Sequence, residues 1–171
     1  MPSRKTKLQP QKGTGIRKEF FKILYELAKK DKDIIFLTGD LGYSFFEYFQ
    51  NKFPKQFINC GVIEQSMVGI AAGLALSGKK PYCYSTAPFL LYRALEQIRS
   101  DVCYQNLNVK FVGVSISGFV GFSHNLGGKE NVEDLLKNLP NIKRYYPKAE
   151  KELKSALLKM YKSKNPAYIS L

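Results

Sequence analysis

No apolar run in this sequence approaches the ~20 residues that a bilayer-spanning helix needs, so no segment is read as a membrane span. The start lacks the apolar core of a secretory signal, since MPSRKTKLQPQKGTGIRK is basic and polar. Tryptophan is absent and histidine occurs once. Cys60, Cys83 and Cys103 are odd in number and widely spaced. They make no Cys-x-x-Cys pair and no disulfide framework, which suits a reducing, cytoplasmic compartment. Zinc-ligand spacing, helix-turn-helix patterning and the aromatic–basic signature of RNA-binding domains are also missing, so nucleic acid is not an expected partner.

Acid is scarce too. There are 14 acidic residues against 27 basic ones, a net charge of +13, and the excess is uneven. Residues 1–18 carry Arg4, Lys5, Lys7, Lys12, Arg17 and Lys18 with no acid, and residues 137–164 carry nine bases against Glu150 and Glu152. Such an excess serves a solvated surface, a surface for anions, or a face that meets an acidic partner subunit.

What is present is a globular chain. Apolar residues make up 44%, with 12 Phe and 11 Tyr, enough over 171 residues to bury one core. Residues 1–15 read as a flexible basic tail and 16–171 as a single domain. Ile16, Phe20, Ile23, Leu24 and Leu27 recur at helical spacing, and DIIFLTGDLG is a short buried strand ending in a Gly-Asp turn. SFFEYFQNKFP predicts a short helix closed by Pro54, and a second helix runs from about Ile63 to Leu76 and stops at Gly78. KPYCYST is a strand, FLLYRALEQIRSDVCYQNL a long amphipathic helix, and NVKFVGVSIS a further strand. A short helix (NVEDLLKNLP), a short strand (NIKRYYP), a helix with Leu153, Ala156, Leu157 and Met160 inward, and a final strand (AYISL) complete the order. Alternation of this kind, with several strands apolar on both faces, predicts an α/β fold: a mostly parallel sheet flanked by helices on both faces.

Sites in such folds lie at the carboxyl ends of strands. Those ends are Thr38–Gly42, Asn59–Glu64, Ser85–Phe89 and Ser115–His124. Glu64 stands out among them. A carboxylate in the first turn of a helix gains roughly 0.3–1 kcal/mol from the helix dipole, which could account for it. The residues behind it, Gly69, Ile70, Ala71, Ala72, Gly73 and Ala75, are small or apolar on nearly every face. Each glycine costs about 1 kcal/mol against alanine in a helix interior. Such a helix is expected to pack closely against other backbones and to aim Glu64 into a cleft or an interface, where a carboxylate needs a partner.

The run GVIEQSMVGIAAGLALSGKKPYCYST, followed by YRALEQIRSDV and NLNVKFVGVSISG, resembles the pyrimidine-binding domain of transketolases and their thiamine-diphosphate relatives, from roughly Asp33 to the C-terminus. The resemblance implies a thiamine-diphosphate-binding fold of the pyrimidine-domain type. It implies that Glu64 hydrogen-bonds N1′ of the cofactor's aminopyrimidine ring and activates the cofactor for two-carbon ketol transfer between sugar phosphates. By the same resemblance, Asp40 and Leu41 match a segment near the thiazolium, with a turn or N-cap role as the alternative for Asp40. Phe89 and Tyr92 stand near the aromatics that line the pyrimidine pocket, although the spacing departs from the family's and both rings could be core. Arg93 and Gln97 match the relatives' RAxxQIR pattern, by which Arg93 is expected to bind the cofactor, with a structural role for both residues as the alternative. His124 aligns with a family histidine that contacts substrate. The acidic residue expected just before it is replaced by Val120, Gly121 and Phe122, and LGGKE follows as an insertion.

The resemblance also shows what the chain lacks. The Gly-Asp-Gly segment and the later Asn-containing segment that hold magnesium and diphosphate in the family do not occur in these residues, and the sequence stops where transketolases usually continue into a C-terminal domain, which is therefore not expected here. No metal ligand is therefore assigned, and magnesium is expected to be held mainly by a partner. The expectation is a subunit of a split enzyme, inactive alone. A separate diphosphate-binding subunit would complete the site in a hetero-oligomer with two copies of each chain. The competing readings are a non-catalytic interaction or regulatory module that keeps the fold, and a related thiamine-diphosphate synthase.

Overall fold

The computed structural model of the chain describes residues 15–114 and 132–171. Six strands form one sheet: β1 (Ile34–Thr38), β2 (Phe57–Asn59), β3 (Lys80–Thr86), β4 (Lys110–Val114), β5 (Lys143–Tyr145) and β6 (Ala167–Ser170). Their order is β2-β1-β3-β4-β6-β5, and every pairing is parallel. β1 and β4 are buried along their whole length. That is what their continuous apolar runs predict for a sheet covered on both faces.

One face is covered by α1 (Ile16–Lys30), α2 (Glu47–Lys52) and α5 (Glu150–Lys162), with α1 packed on α5. Phe20, Leu24, Phe36, Tyr82, Tyr84, Leu157 and Met160 meet there. Each such side chain contributes about 1.5–3 kcal/mol by leaving water. The other face carries α3 (Glu64–Leu76) and the segment after β3, against Leu37, Cys83 and Phe111. α3 closes at Gly78, whose φ of 83° lets its own N–H and that of Lys79 reach the carbonyls of Ala75 and Leu74.

The long amphipathic helix expected after β3 is not regular. It is two wide π turns, Phe89–Arg93 and Ile98–Cys103, around one α turn, α4 (Leu95–Gln97). The pattern of buried residues supplies a reason. Leu90, Ala94, Ile98 and Val102 recur every four residues and are fully buried. In a regular α-helix such positions drift around the axis by about 40° per step. Wide turns alternating with regular ones cancel that drift and keep all four on the core. The segment expected as a short helix before β5 is a 3₁₀ helix, Val132–Asn138, and the edge strand β2 is only three residues long, too short to declare itself by periodicity.

The chain runs outward from β1 to β2, then crosses back to start β3 on the other side of β1. The carboxyl ends of β1 and β3 therefore form a topological switch point, where open parallel sheets leave a crevice. Among the described residues no helix is long and apolar enough to cross a membrane.

Candidate functional site

Glu64 lies in that crevice. Strand register explains how. Thr38 of β1 pairs with Tyr84 of β3, so Gly39 and Ser85 follow side by side at the strand ends. α3 begins after the turn that leaves β2, and its first residue, Glu64, drops between them. The side chain of Glu64 has no solvent exposure. Ser85 Oγ donates to Glu64 Oε1 at 2.8 Å, and Arg93 Nη1 donates to Oε2 at 3.1 Å. Gly39 leaves room for the acid, since a Cβ there would sit 3.2 Å from Glu64 Oε1. Glu64 is not a helix cap. Ile63 holds the N-cap position without a side-chain cap bond, and both Glu64 oxygens point to other elements. The partner that a buried carboxylate needs is supplied by a hydroxyl and a guanidinium, as the cost of burying a bare charge requires.

A cavity of about 350 Å³ opens at this point, lined by Val62, Ile63, Glu64, Gln65, Ser66 and Arg93. Arg93 closes the first π turn and lies over the ring of Phe89, 3.7 Å from its centroid. Phe89 itself is buried, while Tyr92 beside it is about half exposed.

Asp40 stands at the end of β1 with φ 58°, a left-handed conformation uncommon for a residue with a side chain. Asn59 Nδ2 donates to its Oδ1 at 2.8 Å and Tyr43 donates to the same oxygen. These hydrogen bonds, Asn59's first, hold the Asp40 carboxyl below its usual range. Asn59 Oδ1 in turn accepts the Gly61 N–H at 3.0 Å. Asp40 thus ties the loop after β1 to the loop that leads into Glu64. Leu41 exchanges hydrogen bonds with Thr38 through its backbone, and its side chain packs with the α1 layer. Gln97 has a buried Oε1 with no hydrogen-bond partner among the described residues. His124 lies outside the described residues.

The close packing expected of α3 is not made among the described residues of this chain. Met67, Val68, Ala71 and Ala72 face the sheet, but Ser66, Gly69, Ile70, Gly73 and Leu76 are exposed. A Cβ at Gly69 or Gly73 would meet nothing within 4 Å. Val62, Ile63 and Tyr92 are exposed as well, and the first two line the cavity.

The profile of the transketolase pyrimidine-binding domain matches residues 12–171. The chain belongs to the transketolase pyrimidine-binding-domain family. Among its relatives, it is 45% identical over 112 residues to a subunit of the apulose-4-phosphate transketolase of Phocaeicola vulgatus, covering 63% of this chain and 36% of that one. It is 35% identical over 159 residues to the 6-deoxy-6-sulfo-D-fructose transketolase subunit of Clostridium sp. strain MSTE9, covering 91% and 49%. A solved structure described as a split-gene transketolase, inactive beta4 tetramer, superposes with a TM-score of 0.78 at 33% identity, covering 93% of this chain and 51% of that one. The chain thus spans about a third to a half of the length of these relatives.

The site can be tested against the family's cofactor. A buried carboxylate facing a cavity lined by Val62 and Ile63 alongside Gln65, Ser66 and Arg93 suits an aminopyrimidine ring, which takes one charged hydrogen-bond partner and can stack on the apolar side chains. Among the described residues there is no group of three His, Cys, Asp or Glu that could hold a metal ion. Sequence reasoning found Glu64 and Arg93 separately but not their pairing, and it missed Ser85 and Gly39 as parts of the site. Only the strand-end position of both residues hinted at them.

Proposed function

We propose that this chain is one subunit of a split transketolase-like enzyme. It binds the aminopyrimidine of thiamine diphosphate and activates the cofactor through Glu64 for two-carbon ketol transfer between sugar phosphates. It acts only with a separate diphosphate-binding subunit that holds most of the magnesium coordination, in an assembly with two copies of each chain. The observation that carries this reading is the fully buried Glu64 carboxylate at the switch point, facing a cavity beside a bare apolar face.

Glu64 would share a proton between its Oε2 and the ring nitrogen N1′, while Ser85 fixes Oε1 and with it the plane of the carboxylate. Val62 and Ile63 would exclude water from that contact. When bound, the cofactor supplies the electron sink that carbon–carbon cleavage requires. The exposed Gly69 and Gly73 would let the partner's backbone approach α3 closely, burying the cavity mouth at the subunit interface. The names of the relatives, which include subunits and a split-gene enzyme, support the partner. A cytoplasmic location fits the three unpaired cysteines.

The test is reconstitution. Mixing the chain with the diphosphate-binding subunit, thiamine diphosphate, magnesium and a ketose donor should give a complex and ketol transfer, and the chain alone should give neither. Glu64→Gln should assemble normally and lose at least ~100-fold in turnover, since removal of one preorganised charged contact costs on that order. Full activity in that variant would remove Glu64 from its role.

A further inference from the structure

We propose that Arg93 is a displaceable counter-ion, which neutralises Glu64 in the partner-free chain and is driven off when the aminopyrimidine ring arrives. The inference rests on the reading of Glu64 given above. A carboxylate without solvent exposure cannot stand unpaired. Ser85 satisfies one oxygen, and among the described residues the charge that meets the other is Arg93 Nη1 at 3.1 Å. The two partners of the acid are not alike. Ser85 is buried in the sheet, whereas the Arg93 side chain is 42% exposed and holds the carboxylate by a single contact rather than a two-pronged fork. Its guanidinium lies over Phe89, 3.7 Å from the ring centroid, so it is anchored by the ring and not only by the acid. The single contact of Arg93 with Glu64 can therefore break while the guanidinium keeps its place on the Phe89 ring.

The cavity makes that movement necessary. Arg93 lines the same space as Glu64. A ring that enters to bond Oε2 meets Nη1 already there. Arg93 also closes a wide π turn, and such turns concentrate at functional sites. The pairing protects the buried acid before assembly and holds its carboxylate plane for the ring that replaces the guanidinium. Arg93 is then a positioning residue that competes with the cofactor. The sequence resemblance suggested the opposite, a residue that holds the cofactor.

The two roles predict opposite signs. Thiamine diphosphate with magnesium would be titrated calorimetrically into the reconstituted complex of wild type, Arg93→Lys and Arg93→Met. Displacement predicts that R93M binds about 5-fold tighter or more, the range of an ordinary coupling between competing contacts, and that R93K returns toward wild type because it restores the charge. Weaker binding by R93M overturns the inference while leaving the function of Glu64 standing. No binding by the wild-type complex overturns both. Should R93M fail to assemble, the Arg93 guanidinium protons of the wild-type protein decide the matter. Exchange should be slow in the partner-free chain and fast in the cofactor-bound complex, and slow exchange in both states overturns the inference.

Discussion

Gly39→Ala adds one methyl group at the point where the site is tightest. Its Cβ would lie 3.2 Å from Glu64 Oε1 and 3.5 Å from both Glu64 Cδ and Ser85 Oγ. Ordinary contact begins a few tenths of an ångström farther out, so the carboxylate must retreat by that amount. Neither neighbour can rotate away cheaply. Glu64 is held from both sides, and Ser85 is fully buried. The retreat stretches the 2.8 Å Ser85–Glu64 bond, an interaction with a charged group worth about 1.5–3 kcal/mol when lost outright. Partial loss together with overpacking sets a cost of about 1.5–2.5 kcal/mol. The stiffer unfolded chain offsets about 0.4–1 kcal/mol of it. A net destabilisation of about 0.5–2 kcal/mol should lower Tm by about 1–8 °C in a domain of this size. Turnover of the reconstituted enzyme should fall more steeply, by about tenfold or more, because a displaced catalytic group loses rate faster than the fold loses stability. Thermal unfolding and steady-state kinetics on the same preparation check both numbers. A G39A protein with wild-type Tm and wild-type turnover would refute the argument that the β1–β3 register sets the position of Glu64.

Three further outcomes are expected. Ile70→Asp, on the exposed face of α3, should leave Tm within about 2 °C yet abolish association with the diphosphate-binding subunit in size-exclusion chromatography; unimpaired association would move the interface elsewhere. Asp31 lies at the opposite end of the sheet. Burial pushes its carboxyl up, but hydrogen bonds from Lys80, the Asp33 amide and Tyr161, with the charge of Lys80, bring it below its ordinary value. Its contribution is present above the unfolded-state pKa and disappears as pH falls through the folded one, so Asp31→Asn should flatten acid-side urea denaturation profiles, and an unchanged slope would deny Asp31 that role. Lys110 is buried with Nζ donating to the Ser163 and Asn165 carbonyls at 2.9 and 2.7 Å; burial first, then Lys143 and Lys80, lower it to about 7. The unfolded chain keeps that proton to about pH 10, so stability should rise with pH above 7, and Lys110→Met should remove the rise in denaturation curves measured from about pH 7 to 9.5.

Local pattern determined much of this protein. Alternating periods and doubly apolar strands such as Ile34–Thr38 marked a parallel sheet between helical layers, and α1, α3, β3 and α5 fall where periodicity and Gly78 placed them. Glu64 stood out as an acid heading a helix of small and apolar residues, although the helix dipole offered a local reason for it. Periodicity reports only whether a residue faces a core, and it is blind to which strand lies next to which. The register of β1 on β3 brings Gly39 and Ser85, 46 positions apart, to either side of Glu64. The π turns that carry Arg93 onto that carboxylate arise because a four-residue repeat had to meet a flat core. The bare face of α3 is likewise a tertiary outcome. Its small residues promised close packing, and the fold sets one side of the helix on the sheet and leaves the other exposed beside the cavity.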